Sequence, residues 1–289
     1  MQASGSNRPP EYEPPTAPLV SVCLPVFNGE RFLEKAVDSV LRQTYPHFEL
    51  LIFDDRSTDN SLTILQGIHD SRIRIHCNAR NLGAEANWNQ AVGAAHGEYV
   101  KLFHQDDLLA PDCLKEQVAA LEGHPNAVLA FCDRTIIRPD GSKLMSRSAP
   151  WGTQEIDALE ALLACLRAGT NLIGEPSAVL FRRGTALTAG PFDGSLPYLI
   201  DLDYWFRLMK HGTALHLPTS LACFRLSSKQ WSSRIIKQQS KDFIEFIDRL
   251  MASKTFPISP FLRVYGGWVA RMNALLRTLV YRFLIRGHD

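Results

Sequence analysis

Tyr99-Val100-Lys101-Leu102-Phe103-His104-Gln105-Asp106-Asp107-Leu108-Leu109-Ala110-Pro111 is the stretch that decides the fold. Its first five residues read as a buried strand, and Pro111 opens a helix. Between them stand two adjacent carboxylates at the strand's C-terminal edge. Two such charges are costly side by side unless something positive sits between them. A hard divalent cation bridging a substrate's phosphates meets that need. A strand end followed by an Asp-capped helix would use the same residues.

Outward from this stretch, strand and helix alternate. Residues 19–27 form a continuous apolar run, expected as a strand buried on both faces, and Asn28-Gly29-Glu30 is a turn. Phe32, Leu33, Ala36, Val37, Val40 and Leu41 then recur at helical spacing until Tyr45-Pro46. A second strand at 48–53 ends in Asp54-Asp55-Arg56-Ser57-Thr58-Asp59. A helix follows through Leu62 and Ile68, then a strand at 73–76, the loop Asn81-Leu82-Gly83-Ala84 and a helix at 85–95. This alternation predicts an α/β fold on a parallel, doubly wound sheet, which binds ligands beyond the carboxyl ends of its strands. Asn28, Asp55, Asn81 with Gly83, and Asp106 with Asp107 all fall just past strand ends. Caps and turns explain each singly, but not four polar edges in succession. No Gly-x-Gly-x-x-Gly follows the first strand and no P-loop occurs, which disfavours a dinucleotide-binding dehydrogenase and a P-loop enzyme. Phosphate here would be neutralised by metal rather than cradled by glycines.

The 289 residues are 45% hydrophobic and 21% charged, enough for a sizeable core in one large domain or two small ones. A net charge of +1 predicts no nucleic-acid partner. Cys23, Cys77, Cys113, Cys132, Cys165 and Cys223 are scattered without a Cys-x-x-Cys pair, so neither a zinc site nor a disulfide framework is indicated. Reduced thiols in a cytoplasmic protein are the expectation. No signal-peptide pattern opens the chain, and no run of 18 apolar residues is present. Residues 1–18 hold five prolines and read as a flexible tail.

Six pieces, in their order and spacing, resemble family 2 glycosyltransferases of the GT-A fold. They are Pro25-Val26-Phe27-Asn28-Gly29, Ser39-Val40-Leu41-Arg42-Gln43-Thr44-Tyr45, Asp54-Asp55-Arg56-Ser57-Thr58-Asp59, Asn81-Leu82-Gly83, Gly97-Glu98-Tyr99 and Gln105-Asp106-Asp107. The resemblance implies a Rossmann-like, mostly parallel central sheet flanked by helices. It implies transfer of a sugar from a nucleotide diphosphate sugar to an acceptor hydroxyl, with inversion, and a divalent cation (Mn or Mg) as cofactor. It puts Pro25, Phe27 and Asn28 near the nucleotide and Asp55 on the base. Asn81, Gly83, Asn89 and Gln105 are expected at the same substrate edge. Asp106 faces the ribose or the metal, and Asp107 holds the metal on the diphosphate. The chain departs from the family pattern in Arg56, where glycine is usual, and in Asn87-Trp88-Asn89, where many members have Ala-Arg-Asn.

Beyond Pro111 a helix to about residue 121, a strand at 128–132, a turn at Arg138-Pro139-Asp140-Gly141 and a helix at 155–168 are expected. Gly174-Glu175-Pro176-Ser177 introduces an apolar strand and resembles the family's acceptor-side segment, which brings Glu175 to the substrate. Leu199-Ile200-Asp201-Leu202-Asp203-Tyr204-Trp205 resembles the family's Glu-Asp-x-Asp-x-Trp segment, with Ile200 in place of Glu. Asp201 then stands where the general base stands, since inversion needs a carboxylate opposite the leaving group. Helix capping is the other reading of this segment, with Asp203 the better cap. Residues 222–232 resemble the family's Tyr-Arg-x-His loop with Ser227 for His. Lys229 or Arg234 would there offer positive charge to the leaving diphosphate, or simply be solvated.

Residues 260–286 carry Phe261, Val264, Tyr265, Trp268, Met272, Leu275, Leu276, Leu279, Phe283 and Leu284 at helical spacing, with five interleaved arginines. A basic amphipathic helix of this kind docks on a membrane surface, a partner or its own core. Gly266-Gly267 is expected to weaken its start. The chain thus divides into a tail (1–18), a nucleotide-sugar-binding half (19–125), an acceptor half (126–235) and a C-terminal helical extension (236–289). The expected activity is inverting transfer in surface-polysaccharide or lipid-linked glycan synthesis, in the cytoplasm or at the inner face of the cell membrane. The rivals are a nucleotidyltransferase on a similar sheet and a catalytically weak nucleotide-sugar-binding or scaffold protein, which Ile200 and Ser227 favour.

Overall fold

β1 (Val20–Val26) is buried along its whole length because parallel neighbours flank it on both sides. The computed structural model describes residues 18–227 and 235–280. In chain order after β1 come α1 (Leu33–Leu41), β2 (Phe48–Asp54), α2 (Ser61–Gln66), β3 (Ile73–Cys77), α3 (Ala84–Gly93) and β4 (Tyr99–Leu102). Then follow β5 (Leu108–Leu109), α4 (Cys113–Gly123), β6 (Ala127–Ile137), β7 (Lys143–Arg147), β8 (Glu155–Ile156) and α5 (Ala158–Ala168). The remainder is β9 (Val179–Arg182), α6 (Arg183–Ala189), α7 (Ile200–Met209), β10 (Thr213–Arg225), α8 (Gln239–Ala252) and α9 (Pro260–Val280).

Side chains alternate between two cores, one on each face of the sheet. Val20, Val22 and Leu24 of β1 join Leu50 and Ile52 of β2 and the buried stripe Leu33, Ala36, Val37 and Val40 of α1. Cys23, Leu51 and Phe53 point the other way, into the core shared with α3, α5 and α7. This period of two, apolar on both sides, is why the strands read as unbroken hydrophobic runs.

The sheet order is β3-β2-β1-β4-β9-β6-β10-β5, with β7 beside β6 and β8 beside β10. The first four strands are parallel. β9 enters antiparallel between β4 and β6, and β6 runs parallel to β10. The sheet is therefore parallel in its first half and mixed in its second. The C-terminal ends of β1, β2, β4, β6 and β10 share one edge, and β9 starts from that same edge.

Several local expectations give way to tertiary pairing. Glu155 and Ile156 are not the start of a helix but pair with β10, and the Asp157 side chain caps α5 by accepting from the Glu160 N–H at 2.8 Å. β6 continues well past residue 132 to Ile137. β10 has no counterpart in the sequence reading: Pro218 splits its apolar run, and its register with β6 shifts between Leu217 and Ser220. Gly266 and Gly267 do not weaken α9. A Cβ on Gly266 would come within 2.8 Å of the Leu166 carbonyl oxygen, so the bare backbone is what lets α9 lie against α5.

Candidate functional site

β1 and β2 end in register at Val26 and Asp54, so two loops leave the sheet side by side. They zip together. Asn28 Oδ1 accepts from the Thr58 N–H (2.8 Å), the Asn28 N–H donates to Ser57 Oγ (3.0 Å), and the Gly29 N–H donates to Ser61 Oγ (2.8 Å). Gln105, beyond β4, closes the shelf. Its Oε1 accepts from the Phe27 N–H at 2.9 Å and its Nε2 donates to the Phe27 carbonyl at 3.0 Å. A Cβ on Gly29 would lie 2.5 Å from that Oε1, so the clamp requires glycine there. The Phe27 ring is left 43% exposed on the shelf, while Pro25 stays buried within β1. Asn28 and Arg56 both adopt left-handed backbone, φ 50° and 63°. Each costs roughly 1–2 kcal/mol relative to an ordinary conformation. Arg56 thus takes a left-handed backbone that glycine adopts at no steric cost.

Asp55 is a knot. Its Oδ1 accepts from the Leu82 N–H and Asn78 Nδ2 (both 2.8 Å) and its Oδ2 from the Gly83 N–H (2.9 Å), while Asn81 Nδ2 donates to its carbonyl (2.9 Å). Asp55, Asn81 and Gly83 are therefore one unit that fixes the loop entering α3. Asp54 beside it keeps a buried oxygen, Oδ1, with no hydrogen bond among the described residues. Asn89 makes a contact within the chain. Its amide brackets the Phe192 backbone, donating at 2.9 Å and accepting at 2.7 Å, and so straps α3 to the loop before α7.

The two carboxylates after β4 differ in burial. Asp107 is fully buried. Its Oδ2 accepts from Ser177 Oγ at 2.6 Å and its Oδ1 from the Arg225 N–H at 3.0 Å, which ties β4 to β9's approach and to β10. Each Asp107 oxygen thus accepts one hydrogen bond and keeps a further lone pair that a cation could use. Asp106 is the partly exposed one, and Arg225 Nε donates to its backbone carbonyl at 2.8 Å. Burial raises the Asp106 carboxyl to about 6, against the pull of Arg225. Burial and the Asp106 charge push Asp107 well above the usual range. His104 packs on Trp88 at 4.8 Å, and burial lowers it to about 4, so it is neutral at neutral pH.

This donor set fits a divalent cation of the Mg²⁺ or Mn²⁺ kind. Such ions use one or two carboxylates, keep waters and take the rest of their shell from phosphate. Two acidic groups held at raised pKa mark a place short of positive charge. Among the described residues no group of three His, Cys, Asp or Glu side chains is set to enclose an ion. A cation held there would take the rest of its shell from water and phosphate.

Further along the chain, the Pro197–Leu199 turn runs straight into α7, which begins at Ile200. Asp203 consequently lies inside the first turn, not at the cap. It pairs with Arg207 one turn on, at 2.8 Å, so the capping reading of Asp203 is corrected. Asp201 accepts from Asn171 Nδ2 at 3.1 Å and from the Leu202 N–H at 2.7 Å. Burial first, and the charge of Glu175 second, raise its carboxyl to about 7. Glu175 stands at the start of the Pro176–Ala178 turn, pairs with Arg134 and is held below its usual value by Arg134 and Arg147 despite burial. Asn171, Arg134 and Arg147 were missed by sequence reasoning, the last two because a register shift between Ile136 and Ile137 sets them opposite each other; Ser177 and Arg225 lie in segments that it matched without giving them a role. Lys229 and Arg234 lie outside the described residues.

The sequence model described as glycosyl transferase family 2 matches residues 21–184. The chain is 31% identical to the putative teichuronic acid biosynthesis glycosyltransferase TuaG of Bacillus subtilis over 238 residues, covering 81% of this chain and 90% of that one. Its fold is similar to that of S. aureus TarS 1-349 in complex with UDP-GlcNAc, with TM-score 0.63 at 18% identity, covering 93% of this chain and 74% of that one. It is also similar to the mannosyltransferase of Pyrobaculum calidifontis in complex with GDP-Man and Mn²⁺, with TM-score 0.62 at 16% identity, covering 96% and 79%.

Proposed function

The chain belongs to glycosyltransferase family 2, and from that premise we propose that it transfers a sugar from a nucleotide diphosphate sugar to an acceptor hydroxyl with inversion. In this reading residues 19–125 take the donor and 126–235 the acceptor. The donor lies across the shelf of Phe27 and Asn28, with the 81–83 loop beside it. The acceptor oxygen attacks the anomeric carbon, its proton passes to Asp201, and the bond from that carbon to the diphosphate breaks. The observation that carries the reading is Asp201, held by Asn171 at 3.1 Å with its carboxyl raised to about 7. A base is most effective with its pKa near working pH. A bound Mn²⁺ or Mg²⁺, held by Asp107 and Asp106 together with the donor's own phosphate oxygens, would neutralise the charge that leaves with the diphosphate.

Similarity to a teichuronic acid glycosyltransferase supports an acceptor in surface-polysaccharide or lipid-linked glycan synthesis. α9 supports a peripheral contact with the inner face of the cell membrane. Phe261, Val264, Tyr265, Trp268, Met272, Leu275, Leu276 and Leu279 are all exposed along it. Over 21 residues, about 30 Å, they form one stripe opposite Gly266 and Ala270. Among the described residues no helix is long and apolar enough to cross a membrane. The deciding experiment is a panel of nucleotide sugars with Mn²⁺ or Mg²⁺, read by release of nucleoside diphosphate. A chain that binds donors yet releases nothing from any of them would be the scaffold protein instead.

A further inference from the structure

Beside Asp201 lies a cluster of positive charge that the transfer step does not use. Arg134 of β6 and Arg147 of β7 are direct cross-strand partners. Like charges placed opposite each other on a sheet destabilise the pair. Glu175 pairs with Arg134. Among the described residues Arg147 has no carboxylate within ion-pair reach; its side-chain hydrogen bond goes to Thr170 Oγ1 at 3.5 Å. Arg277 arrives from α9 and donates to that same hydroxyl at 2.5 Å and to the Tyr198 hydroxyl at 3.1 Å. Two guanidinium groups from separate elements thus converge on one small neutral oxygen. The crowding is felt: burial, with Arg134 and Arg277 adding to it against Glu175, lowers Arg147 to about 10.

Thr170 is followed in the chain by Asn171, whose amide holds Asp201. The convergence point of the arginines and the holder of the base are therefore adjacent residues, about 3.8 Å apart along the backbone. Arg277 also reaches Tyr198, three residues before Asp201, so the arginines border the base from the 170–171 segment and from the 198–201 segment. Guanidinium pairs of this kind match the geometry of carboxylate and phosphate oxygens.

We propose that the acceptor is anionic, carrying a carboxylate or a phosphate ester on the sugar presented to Asp201, and that Arg147 and Arg277 bind that anion. This rests on the reading of Asp201 as the base of a glycosyltransferase and names the acceptor's class within it. Arg134 is held back by Glu175 and shapes the site from behind.

The test is binding of three probes to the full-length protein by ligand-observed NMR: methyl glucoside, methyl glucuronide and methyl glucoside 6-phosphate. At least one anionic probe should bind ten-fold or more tighter than the neutral one at low salt, and which of the two does so separates carboxylate from phosphate. Arg147→Gln and Arg277→Gln should each weaken the anionic probe at least five-fold and leave the neutral probe and UDP within two-fold. Arg147→Lys, which keeps the charge, should retain part of the preference, and unfolding curves identify any variant that has lost its fold. Equal binding of the three probes overturns the proposal. So does an unchanged preference in the double variant, or an equal loss of UDP binding in Arg147→Gln, which would give the cluster to the donor diphosphate. Nucleotide release from the donor panel is scored separately. No release with intact anion preference removes the glycosyltransfer reading and leaves the anion site; release with neutral acceptors alone does the reverse.

Discussion

Asp201→Asn should uncouple stability from activity. The carboxyl is raised from 3.8 to about 7 by burial and by Glu175. Three pKa units correspond to about 4 kcal/mol of preference for the neutral form. Below pH 3.8 both folded and unfolded chains hold the proton and no penalty exists. Between 3.8 and 7 the unfolded chain ionises first, so stability falls as pH rises, and the loss levels off above 7. Between pH 5 and pH 8 this one group should cost the wild type about 2–3 kcal/mol, and the asparagine variant nothing. Relative to wild type, the variant should therefore gain that amount on going from pH 5 to pH 8. Transfer should behave oppositely. In the wild type it rises roughly ten-fold per pH unit toward 7 as the base ionises, then flattens; the variant should lose about a hundred-fold or more. Urea unfolding at the two pH values and initial rates across the range measure both. Asp203→Asn, which removes a part-exposed pair with Arg207, should change stability by less than about 1 kcal/mol and transfer by no more than a few-fold. Parallel stability–pH curves for Asp201→Asn and wild type would refute the raised carboxyl. Transfer surviving in that variant would refute its role as base.

The donor shelf and the C-terminal helix make their own demands. Gly29→Ala would drive a Cβ into Gln105 Oε1, so the Phe27 clamp should open and donor affinity fall by about ten-fold, measured by UDP titration, with the fold retained. Asp106→Asn should abolish the metal dependence of nucleotide release; chelator-insensitive release by the wild type would defeat the assignment. Asp107→Asn should also abolish that dependence, and in addition cost about 1–3 kcal/mol of stability, because it weakens buried hydrogen bonds from Ser177 and the Arg225 N–H. Trp268→Glu with Leu275→Glu should abolish sedimentation with anionic liposomes and leave nucleotide release near wild type; full-length wild-type protein that ignores such liposomes at low salt would remove the membrane contact.

The donor half was legible because its information is local. Buried parallel strands write themselves as unbroken apolar runs, and the polar residues just past 26, 54 and 102 announce the shared edge. What local pattern does not carry is which way a side chain turns once the strand has ended. Asp106 and Asp107 differ in burial because Ser177, 70 residues away, holds one of them inward. The bond of Asn89 to the Phe192 backbone, 103 residues off, is beyond local pattern for the same reason. β10 hid behind Pro218, which breaks the strand pattern while the structure absorbs it as a register shift. The facing arginines were hidden too: pairing onward from Ile137 and Lys143 sets Arg134 against Ser146, and only the register shift between Ile136 and Ile137 brings Arg147 opposite it. The third, Arg277, arrives on a helix whose packing no local pattern specifies.

The two halves of the site are also built differently, and this bears on how they respond to change. The donor shelf is closed by short-range hydrogen bonds among the loops after β1, β2 and β4, so a single side chain there controls its own neighbours. The acceptor side depends on α9. Its Asn273 caps the carbonyls of Ala168 and Gly169 at the end of α5, and its Arg277 grips Thr170, immediately before the residue that holds Asp201. The opposite face of the same helix is the exposed apolar stripe. In the proposed reading α9 therefore joins the stripe on one face to the segment 168–171 on the other and, through Asn171, to Asp201. Occupancy of the stripe should accordingly be felt in how acceptors bind, while the nucleotide end of the molecule stays as the strand edges set it.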